Sequence, residues 1–188
     1  DALSRPVSAT APDGSVHRPI YNAATLLERV DVTLRGAPTA TSFVSNIDYD
    51  AKGQRTLIEY GNGVKTHYVY DPLTFRLIHL QTVREAERVQ DLTYVYDPVG
   101  NVTHIHDAAQ QTVYFRNQVV EPHADYTYDA LYRLISAEGR EHIGQATRPE
   151  TSWDDAFRSK LPHPHDGSAM RRYTEQYRYD GVGKILQL

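Results

Sequence analysis

The segment YVYDPVGNVTHIH at residues 94–106 contains a strand, a tight turn and a return strand. Its tyrosines, Tyr94 and Tyr96, are two residues apart, so their side chains lie on the same face of a strand. Asp97 and Gly100 then take the first and fourth positions of a type I turn, with proline at the second, and each residue is favoured there. The run VTHI that follows is rich in residues that favour strands. The segment therefore predicts an antiparallel β-hairpin.

The Tyr-Asp pair of this hairpin recurs along the chain. Five copies are present; in four of them another tyrosine stands two residues before the pair, and Ile47 has that place in the fifth. We predict that the repeated positions are architectural, and they are Tyr49, Asp50, Gly53, Tyr70, Asp71, Tyr96, Asp97, Gly100, Tyr128, Asp129, Tyr179, Asp180 and Gly183. Because repeat arrays bury their core between neighbouring units, the pattern predicts an all-β fold, a repetitive strip of antiparallel β-hairpins.

The turns between the strands vary from copy to copy. Asn62-Gly63 favours a type I′ hairpin turn, which requires positive φ. Ser4 and Tyr132 stand where the other turns have glycine, so we expect those two turns to differ in geometry from the glycine-bearing ones. The Asp71 turn has one extra residue before its arginine. The sequence therefore predicts a constant hairpin with a variable turn.

The chain is predicted to be a single segment of repeats over residues 1–188. Residues 1–8 align with residues 129–136, so the first residue is the aspartate of a unit. Neither end resembles the atypical unit that caps a repeat array, and we expect the segment to be cut from a longer protein. The period breaks at residues 140–172, where we predict a loop excursion with a short helix near Trp153 to Arg158.

Composition limits the function classes. With 40% apolar and 23% charged residues, the 188-residue chain is predicted to be folded. The net charge of −4 and the lack of a basic cluster argue against nucleic-acid binding. There is no cysteine, which excludes disulfides, thiolate zinc ligands and thiol nucleophiles. The sequence contains no signal peptide and no apolar run long enough to span a bilayer.

Histidines and acidic residues are the candidates for metal binding and catalysis. His104 and His106 would share one strand face, and the segment HPHD at residues 163–166 is compact. Zinc usually takes three or four ligands, and neither cluster has an evident third. Asp107 favours a turn role, and the pair Asp154-Asp155 favours the start of a short helix. No Gly-x-Ser-x-Gly motif is present. We therefore predict no metal, no cofactor and no enzyme activity.

The repeated aspartates and tyrosines can have a structural role or a binding role. The aspartates are best explained by side-chain hydrogen bonds to turn amides, an Asx-turn. The Tyr-x-Tyr rows are predicted to pack across strands. The alternative is that the same rows form a tyrosine-lined platform that binds carbohydrate or unfolded peptide, and the two roles can coexist.

Units of the form Tyr-Asp-x-x-Gly or Tyr-Asp-x-x-x-Arg in a tyrosine-rich hairpin array resemble the YD/RHS-repeat proteins. Within them the chain looks most like the C-terminal half of the B subunit of bacterial insecticidal Tc toxin complexes. The resemblance runs across nearly the whole chain, and the stretches that carry it are residues 49–55, 60–63, 70–77, 94–106, 115–118 and 138–145. The RHS core that ends such a shell, with its aspartyl autoprotease acids, has no match here.

The resemblance implies that the hairpin strip spirals into a hollow shell and that this chain is a segment of its wall. The shell would sequester a cytotoxic cargo in a secreted or released bacterial toxin complex. The implied partners are the remainder of the parent shell, a C-type RHS subunit with a toxic C-terminal cargo, and an A-type translocation subunit. The alternative is a cell-surface adhesion or carbohydrate-binding module. Exposed sheet edges would favour self-association of the isolated segment.

Overall fold

A computed structural model describes residues 1–146, 163 and 165–187. The described chain divides into two compact units, Asp1–Asp91 and Leu92–Leu188. The short helix predicted near Trp153 and the pair Asp154-Asp155 lie outside the described residues. Within the described part, no helix has the length and apolar character needed to cross a membrane.

The first unit is an antiparallel meander in which strands adjacent in sequence pair with each other. Short runs of β-branched and aromatic residues form its strands, and turn residues separate them. The strands are β1 (Ala9–Thr10), β2 (Val16–Tyr21), β3 (Leu27–Thr33), β4 (Thr41–Tyr49), β5 (Arg55–Tyr60), β6 (Val64–Tyr70) and β7 (Leu77–Arg84), followed by the start of β8 (Glu87–Tyr96).

The second unit contains the end of β8 and a sheet in the order β8-β9-β12-β13-β14, with two separate hairpins, β10-β11 and β15-β16. The remaining strands are β9 (Val102–Asp107), β10 (Val113–Phe115), β11 (Gln118–Val120), β12 (His123–Tyr128), β13 (Leu134–His142), β14 (Met170–Gln176), β15 (Arg178–Tyr179) and β16 (Ile185–Gln187). A 3₁₀ helix covers Ile143–Ala146. The predicted all-β fold of antiparallel hairpins is confirmed.

The repeat turns of each unit lie at one end of its strands. Turns at Asp50 and Asp71 join β4 to β5 and β6 to β7, while turns at Asp97 and Asp129 join β8 to β9 and β12 to β13. Because successive paired strands run in opposite directions, every second connection returns to the same end of a sheet. The repeat period therefore places equivalent turns side by side within a unit.

A cross-strand row shows how the first unit buries side chains. Ile47 faces Ile58, Ile58 faces Thr66, and Thr66 faces Thr82. The two threonine hydroxyls are 2.9 Å apart. The buried apolar side chains among the described residues are few, namely Val32, Ile47, Ile58, Val64, Val120, Ala137 and Ala169. Cross-strand pairs and backbone ladders therefore contribute much of what a deep core supplies elsewhere.

The predicted type I′ turn at Asn62-Gly63 differs from expectation. Between β5 and β6 only Gly63 has positive φ (83°), and its N–H donates to the Tyr60 carbonyl. The type I′ prediction at Asn62-Gly63 is wrong, because a three-residue connection accommodates a type I turn followed by one left-handed residue. The type I′ geometry occurs instead between β10 and β11, where Arg116 and Asn117 both have positive φ (50° and 61°).

Strands β13 and β14 extend into the predicted excursion from both sides. Ser136 pairs with Gln176 at one end of this ladder, and His142 pairs with Met170 at the other. Residues 147–162 lie outside the described part of the chain, so the loop excursion at 140–172 stays a prediction.

Candidate functional site

The repeat turn is held by its aspartate. At Asp50 the backbone N–H donates to the Gln54 carbonyl at 2.9 Å, and the Gly53 N–H donates to the Asp50 carbonyl at 3.1 Å. The Asp50 carboxylate Oδ1 accepts from the amides of Lys52 (2.8 Å) and Gln54 (2.9 Å). Gly53 has φ of 79°. The turn is therefore a type I turn closed by a left-handed residue, with two amides bound to one carboxylate oxygen.

The same carboxylate contact recurs at every other aspartate with this turn geometry. The Oδ1 atom accepts the amide four residues on, at Asn101 for Asp97 (2.9 Å), at Arg133 for Asp129 (2.9 Å), at Lys184 for Asp180 (2.8 Å) and at Arg5 for Asp1 (3.0 Å). The Asx-turn prediction is confirmed. The amide of Arg133, donating to Asp129, holds the pKa of that carboxyl below its usual range.

The second tyrosine of the repeat ties its hairpin to the preceding one. Its hydroxyl donates to a backbone carbonyl at the start of an earlier return strand, and the pairs are Tyr49 with Leu27 (2.6 Å), Tyr70 with Arg55 (3.0 Å), Tyr128 with Val102 (2.8 Å) and Tyr179 with Leu134 (2.7 Å). Burial raises the pKa of Tyr49, Tyr70 and Tyr128. We call this contact the tyrosine latch.

A further repeat was missed in the sequence because asparagine replaces the aspartate. The Tyr21 hydroxyl donates to the Pro6 carbonyl at 3.0 Å. The Asn22 side-chain oxygen accepts the Leu26 amide at 3.0 Å, as an aspartate does in the other turns. Thr25 takes the left-handed position with φ of 67°. The signal in the sequence was Tyr21 followed by Asn22, whose short side chain carries an oxygen acceptor. The turn residues after Asn22 have the same spacing as those after the repeat aspartates.

The expectation that the Ser4 and Tyr132 turns differ from the glycine turns is wrong. Both residues have positive φ, 58° and 61°, and their amides donate to Asp1 and Asp129 as the glycines do. The Asp129 carboxylate is also held by the Arg133 side chain, whose Nε is 2.7 Å from Oδ2. We infer that this extra bond offsets the cost of a non-glycine residue in the left-handed region.

The turn at Asp71 does differ, as its extra residue indicated. The left-handed position moves one residue further along, to Phe75 with φ of 59°. The Phe75 amide donates to the Asp71 carbonyl, and the Asp71 amide donates to the Arg76 carbonyl, each at 2.8 Å. The aspartate keeps its role, since Oδ1 accepts the amides of Leu73 and Thr74.

The arginine that follows the turn contacts the tyrosine of the next repeat. The Arg133 guanidinium carbon lies 4.7 Å from the centre of the Tyr179 ring, and one of its nitrogens is 3.4 Å from the Asp180 carbonyl. Arg5 lies in the same way over Tyr21, at 4.4 Å. A cation over an aromatic face is attracted to the ring. This arginine and the tyrosine latch therefore join consecutive repeat hairpins.

His104 lies in a polar network on one sheet face. His104 and His106 lie opposite Asp125 and His123, so the four side chains share one sheet face. The His104 Nδ1 is 2.7 Å from the Asp125 carboxylate. Arg172 lies 2.8 Å from the His123 Nε2, and since arginine can only donate, that nitrogen is the acceptor. No group of three or more potential metal ligands occurs among the described residues.

Asp107 is the remaining candidate acid that lies within the described residues, and its contacts are those of a turn. Asp107 starts a turn, since the Gln110 amide donates to its carbonyl and the Ala109 amide to its carboxylate. Asp91 was not singled out in the sequence, yet its side chain is buried. It contacts His79 (2.5 Å), Arg88 (3.0 Å) and Gln81 (3.2 Å). The hydrogen bond with His79 is the largest cause that lowers the pKa of Asp91.

Comparison with known proteins connects these repeats to bacterial toxins. The chain is 38% identical over 196 residues to "Toxin subunit YenC1" and 36% identical over 194 residues to "Toxin subunit YenC2", both of Yersinia entomophaga. Each alignment covers all of this chain but only about a fifth of the relative. No protein-family model matches the chain.

Solved structures give the same relationship. A crystal structure of TcdB2-TccC3-TEV superposes with a TM-score of 0.77 at 37% identity, covering 98% of this chain and 8% of that one. A Photorhabdus luminescens Tc holotoxin pore superposes with a TM-score of 0.74 at 38% identity and the same coverage. Sequence and structure therefore agree across nearly the whole chain.

Proposed function

Because the chain is a YD/RHS-repeat segment of a Tc toxin subunit, we propose that it forms part of the wall of a hollow β-shell that sequesters a cytotoxic polypeptide. The observation that carries this proposal is the tyrosine latch, which joins a hairpin to an earlier one at Tyr49, Tyr70, Tyr128 and Tyr179. A wall must hold together along its length. The latch supplies a regular side-chain link between repeat hairpins, in addition to backbone pairing.

The geometry suits a thin wall. Backbone groups are satisfied within the antiparallel ladders, and the turn amides are satisfied by the aspartates. The tyrosine hydroxyl donates to a backbone carbonyl at the start of a return strand. Sheet, turn and latch together leave few polar backbone groups that would draw water into the wall, and the structure needs no catalytic group for this role.

The partners we propose are the remainder of the parent shell, a C-type RHS subunit with a toxic C-terminal cargo, and an A-type translocation subunit. The assignment of this chain to a B subunit stays a prediction. Both curated relatives carry C designations in their names, and the solved structures contain a B–C pair, TcdB2-TccC3. A C-type parent would have a B-type subunit as its shell partner. We propose that the protein is secreted or released as part of the toxin complex.

The repeat tyrosines do not favour the alternative adhesion or carbohydrate-binding role. A carbohydrate platform presents exposed aromatic faces with free hydroxyls. In Tyr49, Tyr70, Tyr128 and Tyr179 the rings are half-buried and the hydroxyls donate to backbone carbonyls. A glycan array should therefore show no selective binding by the parent protein.

Protease protection of the cargo tests the wall proposal. The full-length parent is assembled with its partner subunit, and survival of the cargo under limited proteolysis is measured. Replacing Tyr128 and Tyr179 together by phenylalanine removes two latch hydroxyls and should speed cargo degradation. The matched control is Tyr114→Phe, since that side chain is exposed. Equal protection in both variants would show that the latch is not needed, and cargo degraded in the wild-type assembly would refute the wall itself.

A further inference from the structure

A histidine side chain links two strands of the second unit across the strand between them. His123 lies on β12 and Arg172 on β14, and β13 runs between these two strands. An Arg172 guanidinium nitrogen is 2.8 Å from the His123 Nε2. Because arginine can only donate, Nε2 accepts this hydrogen bond and the ring proton is on Nδ1. The contact between β12 and β14 therefore requires the neutral form of His123.

The same ring nitrogen has a second partner on its own strand. The Asp125 carboxylate Oδ2 lies 3.3 Å from the His123 Nε2. A protonated His123 carries a hydrogen on Nε2, so it can donate to Asp125 but can no longer accept from Arg172. The imidazolium and the guanidinium would then be adjacent cations, which repel each other. Protonation therefore exchanges a partner on β14 for a partner on β12.

The charged groups around His123 come from four strands. Asp125 also contacts His104, whose Nδ1 is 2.7 Å from Oδ1. Glu121 lies 3.6 Å from the His123 Nδ1, so Glu121 and Asp125 both attract a protonated His123, whereas Arg172 repels it. The titratable and charged residues near His123 are His104, His106 and Asp107 of β9, Glu121 and Asp125 on either side of it in sequence, Glu138, Arg140 and His142 of β13, and Arg172 of β14.

We propose that His123 is a pH-sensitive switch that ties β14 to β12 at neutral pH and releases it in acid. Histidine is the side chain that changes charge between about pH 5 and pH 8. Once released, Arg172 has the carboxylates of Asp125 and Glu138 only at 3.9 Å. The backbone ladder with β13 still holds β14. The switch needs only these strands, so it does not depend on the cargo-sequestering function.

Hydrogen exchange of the full-length parent, followed by mass spectrometry, tests the switch. Exchange of the β14 peptide is compared at about pH 7.5 and about pH 5.5, after correction for the intrinsic rates. The wild type should exchange severalfold faster at the lower pH, because β14 opens more often. His123→Gln should remove this difference, since glutamine offers Arg172 an oxygen acceptor and does not titrate. The matched control is His142→Gln, since His142 pairs with Met170 of β14 but bonds to Gly144 and Asp166, and this variant should keep the difference.

Arg172→Gln tests the same hydrogen bond from its other end, and the switch stays falsifiable if His123→Gln does not fold. This variant should exchange at neutral pH as fast as the wild type does in acid, with little further increase on acidification. An acid response that persists in His123→Gln or in Arg172→Gln would refute the switch. A response that His142→Gln removes, or that His104→Gln removes while His123→Gln does not, would assign the pH dependence to another histidine and overturn the inference.

Discussion

The repeat aspartate shows how one side chain can specify a turn. Its Oδ1 atom accepts amides two and four residues further on, as Asp50 does from Lys52 and Gln54. Glutamate is longer by one methylene and would not place its oxygen at the same distance from both amides. An asparagine keeps the acceptor, which is why Asn22 forms the same turn.

Gly100 is the first position at which this geometry can be tested. Its φ is 113°, a region that side chains with a branched Cβ rarely adopt. Gly100→Val should lower the free energy of unfolding by on the order of 1–3 kcal/mol, the usual cost of a strained backbone residue. Chemical denaturation measures the change, with Val99→Ala in the same turn as control. Equal stability of the two variants would contradict the left-handed assignment.

Tyr132 and Arg133 give a second residue-scale prediction. Tyr132→Gly should stabilise the turn by about 0.5–1 kcal/mol, because glycine occupies the left-handed region without steric cost. Arg133→Gln removes the bond to the Asp129 carboxylate and the contact with the Tyr179 ring.

The two changes should be coupled. If the arginine offsets the strain at Tyr132, Arg133→Gln destabilises the wild type more than it destabilises the Tyr132→Gly variant. A double-mutant cycle measured by denaturation gives this coupling directly. Strict additivity would show that the Arg133 side chain does not act on the strain at Tyr132.

At the scale of elements, close backbone approach decides where glycine is required. A Cβ at Gly61 would lie 1.7 Å from the Ser42 carbonyl oxygen, and backbone atoms move little. Gly139 is also crowded, but by the ring of Tyr173 at 2.8 Å, and a side chain can rotate away. The β5–β6 connection is therefore fitted against β4, where the Gly61 N–H donates to the Phe43 carbonyl at 3.0 Å.

Gly61→Ala should therefore destabilise the protein more than Gly63→Ala. A Cβ at Gly63 meets open space, and its cost comes only from positive φ, about 1–2 kcal/mol. Gly61→Ala forces β4 and β5 apart and should exceed that value. Thermal unfolding of both variants supplies the comparison. A smaller loss for Gly61→Ala would mean that β4 yields without cost.

At the scale of the whole molecule, Asp91 makes stability depend on acid pH. The carboxylate is buried and paired with His79, Arg88 and Gln81, and its pKa is lowered from 3.8, with the His79 hydrogen bond as the largest cause. A carboxylate with a lowered pKa stabilises the folded state above its unfolded pKa. That contribution is lost as pH falls from about 4 through the folded value.

Asp91→Asn should reduce stability at neutral pH, because the carboxylate that pairs with His79 and Arg88 is gone. It should also flatten the decline of stability below about pH 4, because asparagine does not titrate. Denaturation midpoints measured between neutral and acid pH test this expectation. Asp48→Asn, at an exposed position on β4, is the matched control. An acid slope unchanged by Asp91→Asn would assign the pH dependence to other carboxylates, such as Asp129 in its turn.

The local hairpins can be read from the sequence alone. Tyrosines spaced two apart, aspartate at the start of a turn and glycine three residues later act within about five residues, so the hairpins, the Asx-turns and the all-β fold could be read from neighbouring residues. The type I′ error at Asn62-Gly63 and the missed unit at Tyr21-Asn22 are also local. In the first the connection has three residues, and in the second asparagine supplies the acceptor.

How consecutive repeat hairpins join depends on contacts between residues far apart in the sequence. The tyrosine latch spans 15 to 45 residues of sequence, and its acceptors are backbone carbonyls, which every residue has and no side chain marks. Asp91 reads as an ordinary polar residue until β7 brings His79 beside it. Gly61 is required only because a carbonyl of β4 lies against it. These features depend on which strands become neighbours, and the physical reason is that side-chain preference acts along the chain while steric contact and hydrogen bonding act across it.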